Sequence, residues 1–85
     1  MKLIPALSFG RDLAKLSPQV QKQVQKKLAL LLENPQHPSL DLKKMQGQGD
    51  IWRMKITAGY RLTLQIHQEA CILRRVGPHD ILKKP

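Results

Sequence analysis

The chain has a single cysteine, six acidic residues and no apolar run long enough to cross a bilayer. One cysteine, Cys71, excludes an internal disulfide. Its place in Ala70-Cys71-Ile72-Leu73 suits a small buried strand residue. A spanning helix needs roughly 20 apolar residues, and no stretch comes near that. The opening Met-Lys-Leu-Ile-Pro-Ala-Leu is too short and too soon interrupted for a signal peptide, so a cytoplasmic protein with no membrane partner is expected. There is no internal repeat, low-complexity tract or linker. A single domain over residues 1–85 follows from the length.

Several chemistries are missing as well. His37, His67, His79 and Cys71 have no metal-ligand spacing. Gly47 and Gly49 lie between expected strands, not in a phosphate-cradling loop that opens a helix. No serine or cysteine stands in a nucleophile motif. The expectation is a site with no metal and no cofactor.

What the chain has is positive charge. Fifteen Lys and Arg against six Asp and Glu give a formal net charge of +9. Such a field favours polyanions: nucleic acid, a ribosome, an anionic membrane or an acidic protein. A chain of this size buries a modest core, and a partner that binds its folded state would stabilise it by mass action.

The organising stretch is Ile51 to Ile66. Trp52, Met54 and Ile56 alternate with Arg53 and Lys55, and Tyr60, Leu62, Leu64 and Ile66 alternate with Arg61, Thr63 and Gln65. Period-two alternation marks strands with one buried face. Thr57-Ala58-Gly59 is a short connection whose glycine allows positive φ, so a β-hairpin is expected. Its polar face would carry Arg53, Lys55 and Arg61 with no acid among them. Each cation alone reads as an ordinary solvated residue. Together they repel one another unless an anion visits, and arginine's planar fork suits phosphate.

The rest of the chain supplies a cover for the apolar face. Leu3 to Ser8 is a short strand that Pro5 restricts to an edge or to its first residues. Ser8 is expected to cap a short helix over Phe9 to Leu16. Ser17 and Pro18 start a second helix, with Val20, Val24, Leu28 and Leu31 as its stripe and Leu32 widening it, ending at Glu33 before Asn34-Pro35. Leu40 to Met45 reads as a strand, Gln46 to Asp50 as a turn, and Ala70 to Val76 as a less cleanly alternating strand, central or covered on both sides, that Gly77-Pro78 breaks. The expected fold is α+β: an N-terminal helical hairpin packed on a twisted, mainly antiparallel sheet of three to four strands. His79, just past the last strand with Asp80 beside it, is either a proton-transfer residue or an exposed loop histidine.

The segments Ser17-Pro18, Lys26-Lys27-Leu28, Leu42-Lys43-Lys44-Met45, Trp52-Arg53-Met54-Lys55-Ile56, Gly59-Tyr60-Arg61-Leu62 and Arg75-Val76-Gly77-Pro78-His79-Asp80, in that order and spacing, resemble the RelE/ParE superfamily of bacterial toxins over nearly the whole chain. The resemblance implies a microbial RNase-like fold and a type II toxin–antitoxin module. The RelE branch cleaves mRNA in the ribosomal decoding site, and the ParE branch poisons DNA gyrase. Lys55 and Arg61 match cations of the RelE central strands, and Arg53 lies close to a further one. The terminal RelE tyrosine is missing: Ile81, Leu82 and Lys83 stand in its region. His79 matches a histidine that the YafQ branch carries after its last strand, whereas Lys55 and Tyr60 stand where that branch has other histidines. The expected function is therefore a metal-independent endoribonuclease of the RelE/YafQ kind, with His79, Arg61 and Lys55 catalytic and Arg53, Lys43 and Lys44 on the RNA backbone. The alternative is a non-enzymatic gyrase inhibitor, and a third reading is an inactive binding module. The partners implied are mRNA, the ribosome and an antitoxin, acidic or partly disordered, that folds on binding into a hetero-oligomer.

Overall fold

The structure, a computed structural model, describes residues 1–85. The chain runs through β1 (Lys2–Pro5), α1 (Leu7–Ala14), α2 (Pro18–Glu33), β2 (Lys43–Lys44), β3 (Ile51–Thr57), β4 (Tyr60–His67) and β5 (Ala70–Pro78), with 3₁₀ turns at Pro38–Leu40 and His79–Lys83. The sheet order is β1-β5-β4-β3-β2.

The sheet has five strands, not three to four, and it is mixed, because β1 runs parallel to β5 with Lys2 opposite Ala70. The two short strands expected within Leu3 to Ser8 and Leu40 to Met45 are both present, with shifted bounds, and form the two edges. β1 ends at Pro5, whose missing N–H is tolerated at a strand end. β2 keeps only Lys43 and Lys44 of the strand expected from Leu40. Leu40 sits in a 3₁₀ turn and is fully buried, and Asp41 takes a left-handed φ of 45° that stops strand geometry there. β5 is internal and continues through Gly77 to Pro78, past the expected break.

The apolar alternation of β3 and β4 is what buries one sheet face. Met54, Leu62 and Leu64 are fully buried, with Cys71, Leu73 and Val76 beside them on β5. Phe9 of α1, Val24 and Leu31 of α2, Ile56 of β3 and Leu40 complete this cluster. α2 begins as its cap residues dictate: the Ser17 hydroxyl accepts from the Val20 N–H at 3.3 Å with Pro18 at the first position. Leu32, expected on the stripe, is 49% exposed. Steps of four run ahead of a 3.6-residue turn, so the stripe ends at Leu31 as expected, with Leu30 rather than Leu32 widening it.

α1 starts two residues earlier than expected, and Ser8 does not cap it. The Ser8 hydroxyl donates instead to the Arg74 carbonyl at 2.6 Å. The hairpin turn is the two residues Ala58 and Gly59, without positive φ at the glycine; a register shift between Lys55 and Thr57 absorbs the geometry. The left-handed glycines are Gly47 (φ 74°) and Gly49 (φ 64°), in the turn before β3.

Candidate nucleic-acid interface

The sheet face opposite the helices carries the cations. Cross-strand partners share a face, so the register fixes its rows. One row is Lys43, Arg53, Thr63 and Arg75, and the next pairs Lys55 with Arg61, which in turn lies opposite Gly77. Arg53, Lys55 and Arg61 thus meet on one surface, and none of them is in an ion pair. Lys44 lies opposite Trp52 and so belongs to the other face of its strand, next to Asp50 at 4.0 Å. At this sheet edge Lys43, Lys44, Met45, Gln46 and Arg53 still line one cavity of about 350 Å³.

Arg61 is held by its own hairpin. Its Nη1 donates to the carbonyls of Thr57 (2.7 Å), Ala58 (3.2 Å) and Tyr60 (3.0 Å). The remaining guanidinium donors make no bond within the protein. Arg61 is therefore fixed at the turn end of the sheet with part of its fork free. Lys55, its direct partner, makes no hydrogen bond or ion pair and is half-buried.

β5 contributes two arginines that alternation alone did not reveal. Thr63 is opposite Arg75 and Leu64 opposite Leu73, so Arg74 is an extra residue in β5. Such a bulge re-aims side chains. The Arg74 Nε donates to the Pro85 carbonyl at 3.1 Å and its Nη1 to Gln65 Oε1 at 3.1 Å. The Arg75 Nη1 donates to the Lys84 carbonyl at 3.3 Å. Both guanidiniums thus reach the same outer face from consecutive positions. The signal in the sequence is the two-residue gap between buried Leu73 and Val76.

Arg75 is anchored by Asp12 of α1, Nε to Oδ2 at 2.9 Å and Nη2 to Oδ1 at 3.0 Å. Asp12 also accepts from the Val76 N–H at 3.2 Å. The hydrogen bond from Arg75 and that from Val76 hold the Asp12 carboxyl below its ordinary range, against burial, which pushes it up. The same hydrogen bond with Asp12 pushes the Arg75 pKa up.

The outer face is not open throughout. Ile81, in the turn after β5, is buried over Gly77, where an added Cβ would meet its Cγ2 at 2.9 Å. Lys84 and Pro85 then cross Thr63, whose hydroxyl donates to the Pro85 carbonyl at 3.1 Å and which is fully buried despite facing away from the helices. His79 begins this closing turn, exposed and without a side-chain hydrogen bond. It stands beyond the β5 end that pairs with Tyr60 and Arg61. Asp80 does not hold it; its charge acts on Arg75.

His37 is set apart, half-buried, with Nδ1 accepting from the Ser39 N–H at 3.1 Å, so it caps a 3₁₀ turn rather than lying free. No group of three or more His, Cys, Asp or Glu is clustered to hold a metal ion. No helix is long and apolar enough to cross a membrane.

No protein-family model matches the sequence, and no curated protein matches it. Solved structures do match the fold. YafQ from E. coli strain BL21(DE3) is similar with a TM-score of 0.80 at 13% identity, covering 95% of this chain and 96% of that one. The RelB–RelE antitoxin–toxin complex from Methanococcus jannaschii gives a TM-score of 0.77 at 20% identity, with 95% of each chain covered. The intact E. coli RelBE toxin–antitoxin complex gives 0.72 at 29% identity, covering 91% of this chain and 94% of that one. The order of short motifs, the five-stranded sheet and these neighbours agree: the chain has the fold of the RelE/ParE superfamily of toxin–antitoxin toxins.

Proposed function

We propose that this chain is the toxin of a type II toxin–antitoxin module, an endoribonuclease that cleaves mRNA on the ribosome and inhibits translation. The observation that carries this reading is the unpaired cationic trio on one rigid hairpin face, Lys55 directly opposite Arg61 with Arg53 in the adjoining row. Its fold neighbours include toxins solved with antitoxins.

The reaction needs no group from outside the chain. The 2′-OH of one nucleotide attacks the adjacent phosphorus, the bond from phosphorus to the 5′ oxygen breaks, and a 2′,3′-cyclic phosphate and a 5′-OH result. A proton leaves the 2′-OH and a proton reaches the 5′ oxygen. The free part of the Arg61 fork stabilises the charge that gathers on the phosphate oxygens. Lys55 adds charge beside it and takes part in proton transfer. His79, unencumbered at the end of β5, is the general acid or base. Arg53 and Lys43 hold the RNA backbone, with Lys44 at the edge of the same cavity. Lys22 and Lys26, exposed on α2, are solvated surface.

The partner that restrains such a toxin is an antitoxin, acidic at least locally and partly disordered, that folds on binding and forms a hetero-oligomer. Covering the outer face or displacing His79 would neutralise the site.

The test is primer extension on an mRNA in a reconstituted translation reaction. Wild type, Arg61→Ala and Lys55→Ala are run side by side. Ribosome-dependent cuts that vanish in both variants support the reading. A wild type that makes no cuts, yet blocks DNA gyrase supercoiling, overturns it.

A further inference from the structure

Three donors converge on the tail of this chain in a way that the catalytic trio does not require. Thr63 Oγ1 and Arg74 Nε both donate to the Pro85 carbonyl oxygen, each at 3.1 Å, and Arg75 Nη1 donates to the neighbouring Lys84 carbonyl at 3.3 Å. A hydroxyl and two guanidiniums aimed at adjacent oxygens form a donor set suited to a phosphate group. The set is built, not incidental. The β5 bulge brings consecutive arginines to one face. Gln65 Oε1 receives Arg74 Nη1 at 3.1 Å and fixes that guanidinium. Asp12 fixes the other through two bonds, which also offset its charge, so Arg74 is the principal cation of the group. Thr63 is the only buried polar side chain of the protein. It lies in the same row as Arg53 and Lys43, so the group continues the cationic track across the sheet.

We propose that Thr63, Arg74 and Arg75 form a second phosphate site for the RNA backbone, next to the reacting centre, and that Lys84 and Pro85 occupy it in this structure as a strap of the chain's own carbonyls. RNA displaces the strap, and a phosphodiester takes over its hydrogen bonds. The strap follows a 3₁₀ turn and Lys84 is exposed; besides the three donors it would yield to RNA, its backbone is held by the Lys84 N–H bond to the Ile81 carbonyl at 3.0 Å. This proposal deepens the ribonuclease reading and rests on RNA being the ligand.

The experiment is a titration of the full ¹⁵N-labelled chain with a single-stranded 2′-O-methyl RNA oligonucleotide, which keeps every phosphate and removes the attacking hydroxyl. The Arg74 Nε–Hε, Thr63 and Lys84 signals should move together and saturate. Thr63→Val and Arg74→Gln, each checked for a native-like amide spectrum, should weaken binding about fivefold. Saturable binding that moves Arg53 and Lys55 but leaves Thr63, Arg74 and Lys84 in place overturns the second site. Joint movement of these three signals in a chain that cuts no mRNA retains the site and removes the ribonuclease reading, so the two proposals fail separately.

Discussion

Asp12 and Arg75 stand 63 positions apart in sequence and are joined by two parallel hydrogen bonds of 2.9 and 3.0 Å. The pair fastens α1 to β5 at the point where β1 has ended and β5 would otherwise show an open edge. Asp12 accepts the Val76 N–H there, and Ser8 donates to the Arg74 carbonyl. Side chains of a helix thus satisfy strand groups that a longer β1 would otherwise take.

Replacing Asp12 with Ala should therefore cost about 2 kcal/mol, since a charged pair is broken and a strand N–H is left unpaired. The Asp12 carboxyl is held below its ordinary 3.8, chiefly by the hydrogen bond from Arg75. Its contribution is fully present above that value and is lost as pH falls through the lower folded value. Urea midpoints of wild type and Asp12→Ala should differ at neutral pH and converge as the medium becomes more acidic than the folded-state value. A gap that persists unchanged to the most acidic pH at which both still fold would show that the charge is not what matters.

Arg61 and Lys55 face each other but differ in what holds them. Arg61→Ala removes three bonds to turn carbonyls and should lower stability by about 1–2 kcal/mol as well as abolish cleavage. Lys55→Ala should abolish cleavage with stability changed by no more than about 0.5 kcal/mol. Thermal unfolding beside the primer-extension assay separates the two. Equal destabilisation by both would contradict the observed bonding.

His79→Ala is expected to leave stability unchanged, because the side chain is exposed and unbonded. It should abolish cleavage while ribosome binding, measured by co-sedimentation, stays near wild type. Undiminished cleavage would remove His79 from the mechanism.

Gly77→Ala places a methyl 2.9 Å from Ile81 Cγ2, an atom close to its own backbone and unable to swing away. The closing turn must shift, at about 1–3 kcal/mol. Ile81→Ala should relieve that strain, so the double variant should be more stable than the two single losses added together. Strict additivity in the cycle would mean that the two residues do not pack.

Cys71 is fully buried, and burial pushes its thiol pKa up. Its reaction with an uncharged disulfide reagent should be slow in the native chain and follow global unfolding as denaturant is added. Fast labelling under native conditions would show that the β5–β4 core opens locally.

Much of this architecture was legible because it is local. The hairpin was written in strict alternation from Trp52 to Ile66, and the start of α2 in Ser17-Pro18. What stayed hidden depends on partners far along the chain. The pairing of Lys2 with Ala70 leaves no periodic signal in four residues ending at Pro5. The bulge at Arg74 looked only like poor alternation, because a single extra residue breaks the period without saying which side chains it redirects. The placement of Arg53, Lys55 and Arg61 on one face followed from counting by twos. That Thr63, on the same face, is buried did not, because its cover comes from Pro85. Leu32, four residues after Leu28, falls past the edge of the stripe because a step of four overshoots a 3.6-residue turn.

The parallel pairing of β1 with β5 also bears on how the protein is made. Synthesis runs from β1 towards β5, and the first strand has no neighbour until residues 70–73 have emerged. Before then the helices have nothing to fasten Asp12 against, and the outer face lacks Arg74, Arg75 and His79. Long-range closure of this kind slows folding, because the loop must be ordered before its contacts form. A growing chain therefore makes its hairpin cations before the β5 residues that complete the face they belong to.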